Sequence, residues 1–263
     1  ITGAGLGTVL SSLCAAVAAF WLFLRPSNRR LFGTLPGRTL DPGLLARMVR
    51  YGLPNGAHVF LDVAAFNLFV LLVHSLGPVE RAACTMAFSV NAMAFIPMLG
   101  VGLTATILVG QCVGARAIAK AKLVVRNCLT LVVAYNALMT VLFLGFPGSI
   151  RVIFPLAGMD SSTEAWELGA LFLRYIAAYL LFDGLFTLYK CAINGAGDTR
   201  FSMWASIGIS WLFFAIPCLV AHALGASVLV LWTILVSNVV LAAAVFLVRY
   251  LRGRWQSMRV IEG

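Results

Sequence analysis

Two aspartates stand inside stretches of the sequence that are otherwise apolar. Asp62 lies ten residues past Gly52, where its stretch begins, and Asp183 lies ten residues before Ile193, where its own stretch ends. In helices, both carboxyl groups would lie roughly 15 Å deep, near the middle of a hydrocarbon layer about 30 Å thick. A charged aspartate at that depth costs on the order of 3 kcal/mol, and such groups usually mark paths for ions or protons. We therefore expect both carboxyl groups to face one cavity and to take up cations or protons there.

Asp183 belongs to a polar stripe. Tyr179, Asp183, Thr187 and Lys190 recur at intervals that place them on one face of a helix. Such a stripe should face a protein interior or water rather than lipid, so we expect Tyr179 and Thr187 to line the cavity. Lys190 is close to the cytoplasmic end of its helix, and we expect its ammonium group to extend to that interface.

Three side chains near Asp62 are further candidates for the same cavity. His58 precedes Asp62 by one helical turn, where it could relay a proton or simply form a packing hydrogen bond. Phe66 follows Asp62 by one turn, as Tyr179 precedes Asp183, and aromatic rings beside acids suit contact with lipophilic cations. Asn67 is assigned to the cavity as well, although amides in membrane helices commonly join neighbouring helices.

The composition shows which elements must position these residues. The chain has 263 residues, of which 62% are hydrophobic and 11% charged, and its mean hydropathy is +0.99. Soluble domains carry about 25% charged residues. We predict an all-α integral membrane protein with about seven transmembrane helices. The predicted spans are 4–24, 52–76, 82–112, 127–147, 166–193, 201–223 and 226–249.

Prolines and polar residues mark where these elements begin and bend. Pro54 suits the first turn of a helix that begins near residue 52. Pro97 lies inside the third span and predicts a kink there. The polar stretch 25–50 is predicted to be a loop that contains a short amphipathic helix near 41–50.

The basic residues predict the orientation of the chain. The segments 25–50, 114–126, 194–200 and 249–263 hold six, four, one and four Lys or Arg residues, fifteen in all, whereas the opposite loops hold two. This bias predicts that the long loop and the C-terminus are cytoplasmic, in a multi-pass protein of the plasma or inner membrane. The net charge of +10 is thus a topology signal, and no nucleic-acid partner is expected.

Two other motifs carry less chemistry. The six cysteines stand singly, without a spacing that would bind zinc. The run "GAGD" (195–198) matches the GxGD motif of intramembrane aspartyl proteases. A catalytic dyad needs two aspartates within a few ångströms, whereas Asp183 and Asp198 would lie roughly 22 Å apart along a helix.

Three segments together carry a family resemblance: "YGLPNGAHVFLDVAAFNLFVLLVHSLG" (51–77), "FIPMLGVGLTATILVGQCVGA" (95–115) and "INGAGDTR" (193–200). As a set they resemble the C-terminal half of a multidrug and toxic compound extrusion (MATE) transporter. The resemblance implies a twelve-helix, two-lobe fold, and the chain starts at Ile, as a piece of a longer protein would. Residues 1–24 would then be the last helix of the N-terminal lobe and 25–50 the cytoplasmic inter-lobe loop. Residues 51–250 would form the six-helix C-terminal lobe, and 251–263 a basic cytoplasmic tail.

The resemblance also implies a function. MATE transporters exchange Na⁺ or protons for organic, mostly cationic, compounds by alternating access, so neither enzyme activity nor a cofactor is expected. The family's coupling acids match Asp62, where Glu is usual, and Asp183; where Na⁺ is the coupling ion, it would bind at one of them. The expected partners are small organic cations, the lipid bilayer and the N-terminal lobe that this chain lacks. A lipid-linked saccharide flippase of the same superfamily is the alternative, and an intramembrane protease is a more distant one.

Overall fold

The computed structural model describes residues 2–28, 41–145 and 163–258, and the regular elements in these ranges are all helical. Parts of the predicted inter-lobe loop (29–40) and of the basic tail (259–263) lie outside the described residues, as does the segment 146–162. Within the described ranges, seven helical stretches are long and apolar enough to cross a membrane. The predicted all-α class with seven membrane-spanning helices is thereby confirmed.

The helices occur in the following order. They are α1 (Thr2–Leu24), α2 (Pro42–Leu76), α3 (Pro78–Gly114), α4 (Ile118–Gly145), α5 (Thr163–Gly195), α6 (Thr199–Ser210), α7 (Ile216–Ala223) and α8 (Val228–Leu251). A π-helical turn (Trp211–Ala215) joins α6 to α7, so that these three elements form one span. A short 3₁₀ helix (Arg254–Ser257) follows α8.

The start of the second span differs from the prediction. In the described residues from 41 onward there is no separate amphipathic helix, because one helix, α2, begins at Pro42 and continues through Pro54. The start signal lies ten residues earlier than expected, because Asp41 Oδ1 accepts hydrogen bonds from the backbone N–H groups of Gly43 (2.8 Å) and Leu44 (3.2 Å). An aspartate cap followed by a proline at the first helical position is a favourable helix start.

The chain forms two compact units, residues 1–51 and 52–263. In the first unit, α1 exposes its apolar side chains along its whole length. The second unit contains the last six spans, and α5 is its central helix, packed against α3, α4 and α8. Its helices carry the cavity residues predicted from the sequence.

Small residues let the helices of the second unit approach α5 closely. A Cβ atom on Gly195 would collide with the backbone carbonyl of Thr106 on α3, and one on Gly184 would collide with the side chain of Asn136 on α4. Close backbone approach through small residues is typical of helix packing in membranes. Because Gly184 presses against α4, the preceding residue, Asp183, is left on a different face of α5.

An aromatic cluster surrounds Trp232 in the core of the second unit. The ring centroid of Trp232 lies 4.3 Å from Phe172, 5.3 Å from Phe88 and 5.9 Å from Phe69. Trp232, Phe172 and Phe69 are fully buried. Rings from α2, α3, α5 and α8 therefore pack into one core.

Candidate functional site

A cavity of about 650 Å³ opens between the helices of the second unit. Its walls come from α2, α3, α5, α6, the π-helical turn and α8. Except for Asn67, the residues that the sequence assigns to a cavity line it: His58, Asp62, Phe66, Tyr179, Asp183 and Thr187. The two acids from α2 and α5 thus face the same space.

Asp62 is held by two donors from other helices. The Nζ atom of Lys190 lies 2.9 Å from Asp62 Oδ2, and the hydroxyl of Ser210 donates to Asp62 Oδ1 at 2.7 Å. The indole N–H of Trp211 also donates to the carbonyl of Leu61, one residue away, at 3.3 Å. Both oxygens of the carboxylate are therefore occupied, and α2 is fastened to α5 and to the start of the π-helical turn.

Lys190 is placed differently from the prediction. Its ammonium does not extend to the C-terminal end of α5 but reaches Asp62 inside the cavity, 5.1 Å from the centroid of the Phe186 ring. Side chains on an α-helix lean toward its N-terminus, so a lysine near the end of α5 points back to the depth of the two acids. Because Asp62 on α2 lies at that depth, the Lys190 ammonium forms an ion pair with it instead of extending to the membrane interface.

Asp183 has a different environment from Asp62. It lines the cavity two helical turns before Lys190, and no side chain among the described residues forms a hydrogen bond or ion pair with it. A hydrogen bond links its helix, α5, to α4: the Asn136 amide on α4 donates to the carbonyl of Leu180 at 3.1 Å. The cavity therefore contains one paired carboxylate, that of Asp62, and one, that of Asp183, for which the described residues provide no side-chain hydrogen bond or ion pair.

The other predicted residues surround the two acids. Tyr179, His58 and Thr187 are buried, whereas Phe66 is 39% exposed and meets Phe88 edge-on at 5.0 Å between ring centroids. Asn67 is not placed at the cavity. It is exposed, and its amide donates to the carbonyl of Val63 one turn earlier in its own helix, at 2.9 Å.

Several polar residues of the cavity were not identified from the sequence. Ser206 and Ser210 line it from α6, and asparagines line it from α3, α5 and α8: Asn91, Asn194 and Asn238. The sequence does hold a signal for the serines, because Ser202, Ser206 and Ser210 recur every four residues and so share one face of α6. The asparagines occur singly and give no comparable pattern.

Asp198 has a structural environment rather than a place in the cavity. It is 4% exposed, and its Oδ2 atom accepts from Arg249 Nε at 2.8 Å and pairs with Nη2 at 2.6 Å. The guanidinium also lies 4.3 Å from the centroid of the Phe201 ring. A buried acid bound in this way fastens the α5–α6 turn to the end of α8 and is not shaped as half of a catalytic dyad.

Comparison with known proteins identifies the family. The model of the MatE family matches residues 54–220. A probable multidrug resistance protein NorM of Bradyrhizobium diazoefficiens is 30% identical over 88% of this chain and 50% of its own length. The chain spans about half the length of the curated relatives it matches.

Solved structures show the same fold. The crystal structure of the eukaryotic MATE transporter AtDTX14 matches with a TM-score of 0.76 at 17% identity, over 93% of this chain and 54% of that one. A transporter of the MOP superfamily from Pyrococcus furiosus matches with a TM-score of 0.68 at 19% identity, over 82% of this chain and 46% of that one. The family model covers more than half of the present sequence, and the described helices share the fold of about half of each of these transporters. The chain belongs to the MATE family.

Proposed function

We propose that the protein exports organic, mostly cationic, compounds in exchange for Na⁺ or protons. The observation that carries this proposal is the cavity, in which two acids from different helices stand among aromatic and aliphatic side chains. Apolar walls with a few convergent polar groups are typical of small-molecule sites. The relatives named as probable multidrug resistance proteins support the same function.

The two acids would have different roles in this exchange. No side chain among the described residues pairs with the Asp183 carboxylate, so it is the group that an incoming cation, Na⁺ or a proton would meet first. Asp62 already binds Lys190 and Ser210. A ligand at Asp62 would have to displace the ammonium, which would loosen the link between α2 and α5. Such a link, made in one state and broken in another, suits alternating access between two lobes.

The setting of the transporter is part of the proposal. The chain would be the C-terminal lobe and would work against an N-terminal lobe of the same protein. Its basic segments favour a plasma or inner membrane with the C-terminus in the cytoplasm. No cofactor is proposed beyond the coupling ion.

The test is efflux of a fluorescent lipophilic cation from cells that express the protein, with sodium and pH gradients imposed separately. Asp62→Asn and Asp183→Asn are compared with wild type at matched expression. Glu167→Gln is the control, because Glu167 lies exposed on the same helix as Asp183 and outside the cavity. We expect efflux to follow one of the two gradients and to be abolished by Asp183→Asn but not by Glu167→Gln.

Two results would contradict the proposal. Unchanged efflux in both aspartate variants would show that the acids are structural. Failure of wild type to export organic cations under either gradient would favour the flippase alternative. A pyrophosphate-binding cavity is expected to contain several Arg or Lys residues, whereas Lys190 is the single one lining this cavity among the described residues.

A further inference from the structure

The charged side chains that line the cavity do not balance. Among the described residues they are Asp62, Asp183 and Lys190, so two negative charges face one positive charge. The other titratable side chains that line the cavity among the described residues are His58, Tyr179 and Cys191, whose ordinary forms are mainly neutral at pH 7. When both acids are ionised and the lysine is protonated, the cavity carries one net negative charge.

From this arrangement we infer that Lys190 acts as a tethered cation that restricts the cavity to cargo with a single positive charge. The inference rests on the proposed function, since it concerns the choice among organic cations. It assigns to Lys190 a role in specificity: the two acids alone would attract monocations and dications alike. Dications are the compounds that Lys190 excludes.

The position of the ammonium supports this role. Its Nζ atom lies 2.9 Å from Asp62 and 5.1 Å from the centroid of the Phe186 ring, and the lysine side chain is 17% exposed. A carboxylate and an aromatic ring together are the partners that an organic ammonium group would seek. Lys190 thus occupies the place in which the second charge of a dication would bind.

Asp183 determines how much positive charge on a ligand the cavity can still neutralise. Asp183 can neutralise one positive charge on a ligand, because no described side chain pairs with it. A second positive charge would either lie beside the ammonium of Lys190 or displace it from Asp62. In both cases like charges would face each other in a largely apolar cavity, where they interact more strongly than in water. A monocation meets no such repulsion.

A matched pair of dyes tests the inference. Ethidium is a monocation, and propidium carries the same phenanthridinium with a second, quaternary ammonium on a propyl arm. Binding of each dye to the purified protein in lipid nanodiscs is measured from the change in dye fluorescence, and the result is the ratio of the two Kd values. Because each variant is compared through this ratio, the larger size of propidium affects all variants equally.

Three variants test the charge count: one changes the net charge of the cavity, and two keep the wild-type value. Lys190→Met removes the tethered cation, and we expect the preference for ethidium over propidium to fall by about tenfold. Lys190→Arg keeps the charge and should keep the preference. The double variant Asp62→Asn/Lys190→Met restores one net negative charge and should restore the wild-type preference, although its lysine is gone.

Each outcome decides the matter. An unchanged ratio in Lys190→Met, or an equal fall in the double variant, would overturn the inference. Should Lys190→Met not fold, Asp62→Asn alone tests the same charge count, because it leaves no net charge and should weaken ethidium binding about tenfold. Wild type that binds neither dye would overturn the inference as well. Binding with the expected ratios but without efflux would contradict only the proposed function.

Discussion

Replacing Arg249 by Met should destabilise the second unit strongly, because it would leave the carboxylate of Asp198 buried without its partner. Two guanidinium nitrogens lie 2.8 and 2.6 Å from one carboxylate oxygen, and the side chains of Arg249 and Asp198 are only 15% and 4% exposed. Removing one member of a buried ion pair costs about 3–5 kcal/mol in soluble proteins. Since Arg249 keeps some access to solvent, we expect the lower end, about 3 kcal/mol.

The assay is thermal unfolding of the purified protein in detergent, followed by size-exclusion chromatography with fluorescence detection. For a folded unit of this size, a loss of about 3 kcal/mol lowers Tm by roughly 6–12 °C. The control is Arg252→Met, which removes an exposed arginine from the residue that follows α8 and should change Tm by at most about 2 °C.

The double variant Asp198→Asn/Arg249→Met tests whether the loss of stability in Arg249→Met comes from the unpaired carboxylate of Asp198. It removes both charges, so the desolvation penalty of an unpaired carboxylate disappears, and Tm should return most of the way to the wild-type value. Losses that simply add in the double variant, or an Arg249→Met variant as stable as the Arg252→Met control, would refute the reasoning. The geometry would then be a surface contact of little energetic weight.

Two further predictions concern helix packing and are read by the same unfolding assay. Gly195→Ala should lower the free energy of unfolding by about 1–3 kcal/mol, because the added Cβ would collide with the carbonyl of Thr106. Gly100→Ala should be neutral, because its Cβ would meet open space. Equal stability of the two variants would contradict the close approach of α3 and α5. Asn136→Ala should cost about 1 kcal/mol because it removes a buried amide that donates to α5. Asn67→Ala should change little, since that amide bonds only within its own helix, and a larger loss at Asn67 would reverse our assignment.

Much of the fold follows from hydropathy alone. The seven apolar stretches each correspond to one helical span, because a span must satisfy its own backbone hydrogen bonds in a membrane. The predicted start of α2 near residue 52 was wrong for a physical reason: the stretch 41–50 was interpreted as a separate short amphipathic helix, yet the cap at Asp41 begins one continuous helix that Pro54 does not interrupt. Hydropathy predicts which segments lie in the membrane, whereas capping residues determine where a helix begins.

The candidate site was only partly predictable. The depth of Asp62 and Asp183 follows from counting residues along a helix, and both face one cavity. The pairing of Lys190 with Asp62 depends on which helices are neighbours, which sequence spacing within one helix does not report. The π-helical turn after Ser210 also leaves no clear mark in the sequence, although it sits where the serine hydroxyl meets Asp62. Asn67 was assigned to the cavity because it is close to Asp62 and Phe66 in sequence, but its amide bonds within its own helix and does not line the cavity.

The ion pair between Asp62 and Lys190 also has a consequence for how the protein is made. The two residues are 128 positions apart in the chain. At a synthesis rate of 5–20 residues per second, Asp62 is synthesised about 6–26 s before Lys190. During that interval α2 must enter the membrane with an acid that nothing yet neutralises. Its other side chains are apolar enough to offset a cost on the order of 3 kcal/mol, so insertion can precede pairing, and Asp62 gains its ion-pair partner only when α5 enters the membrane.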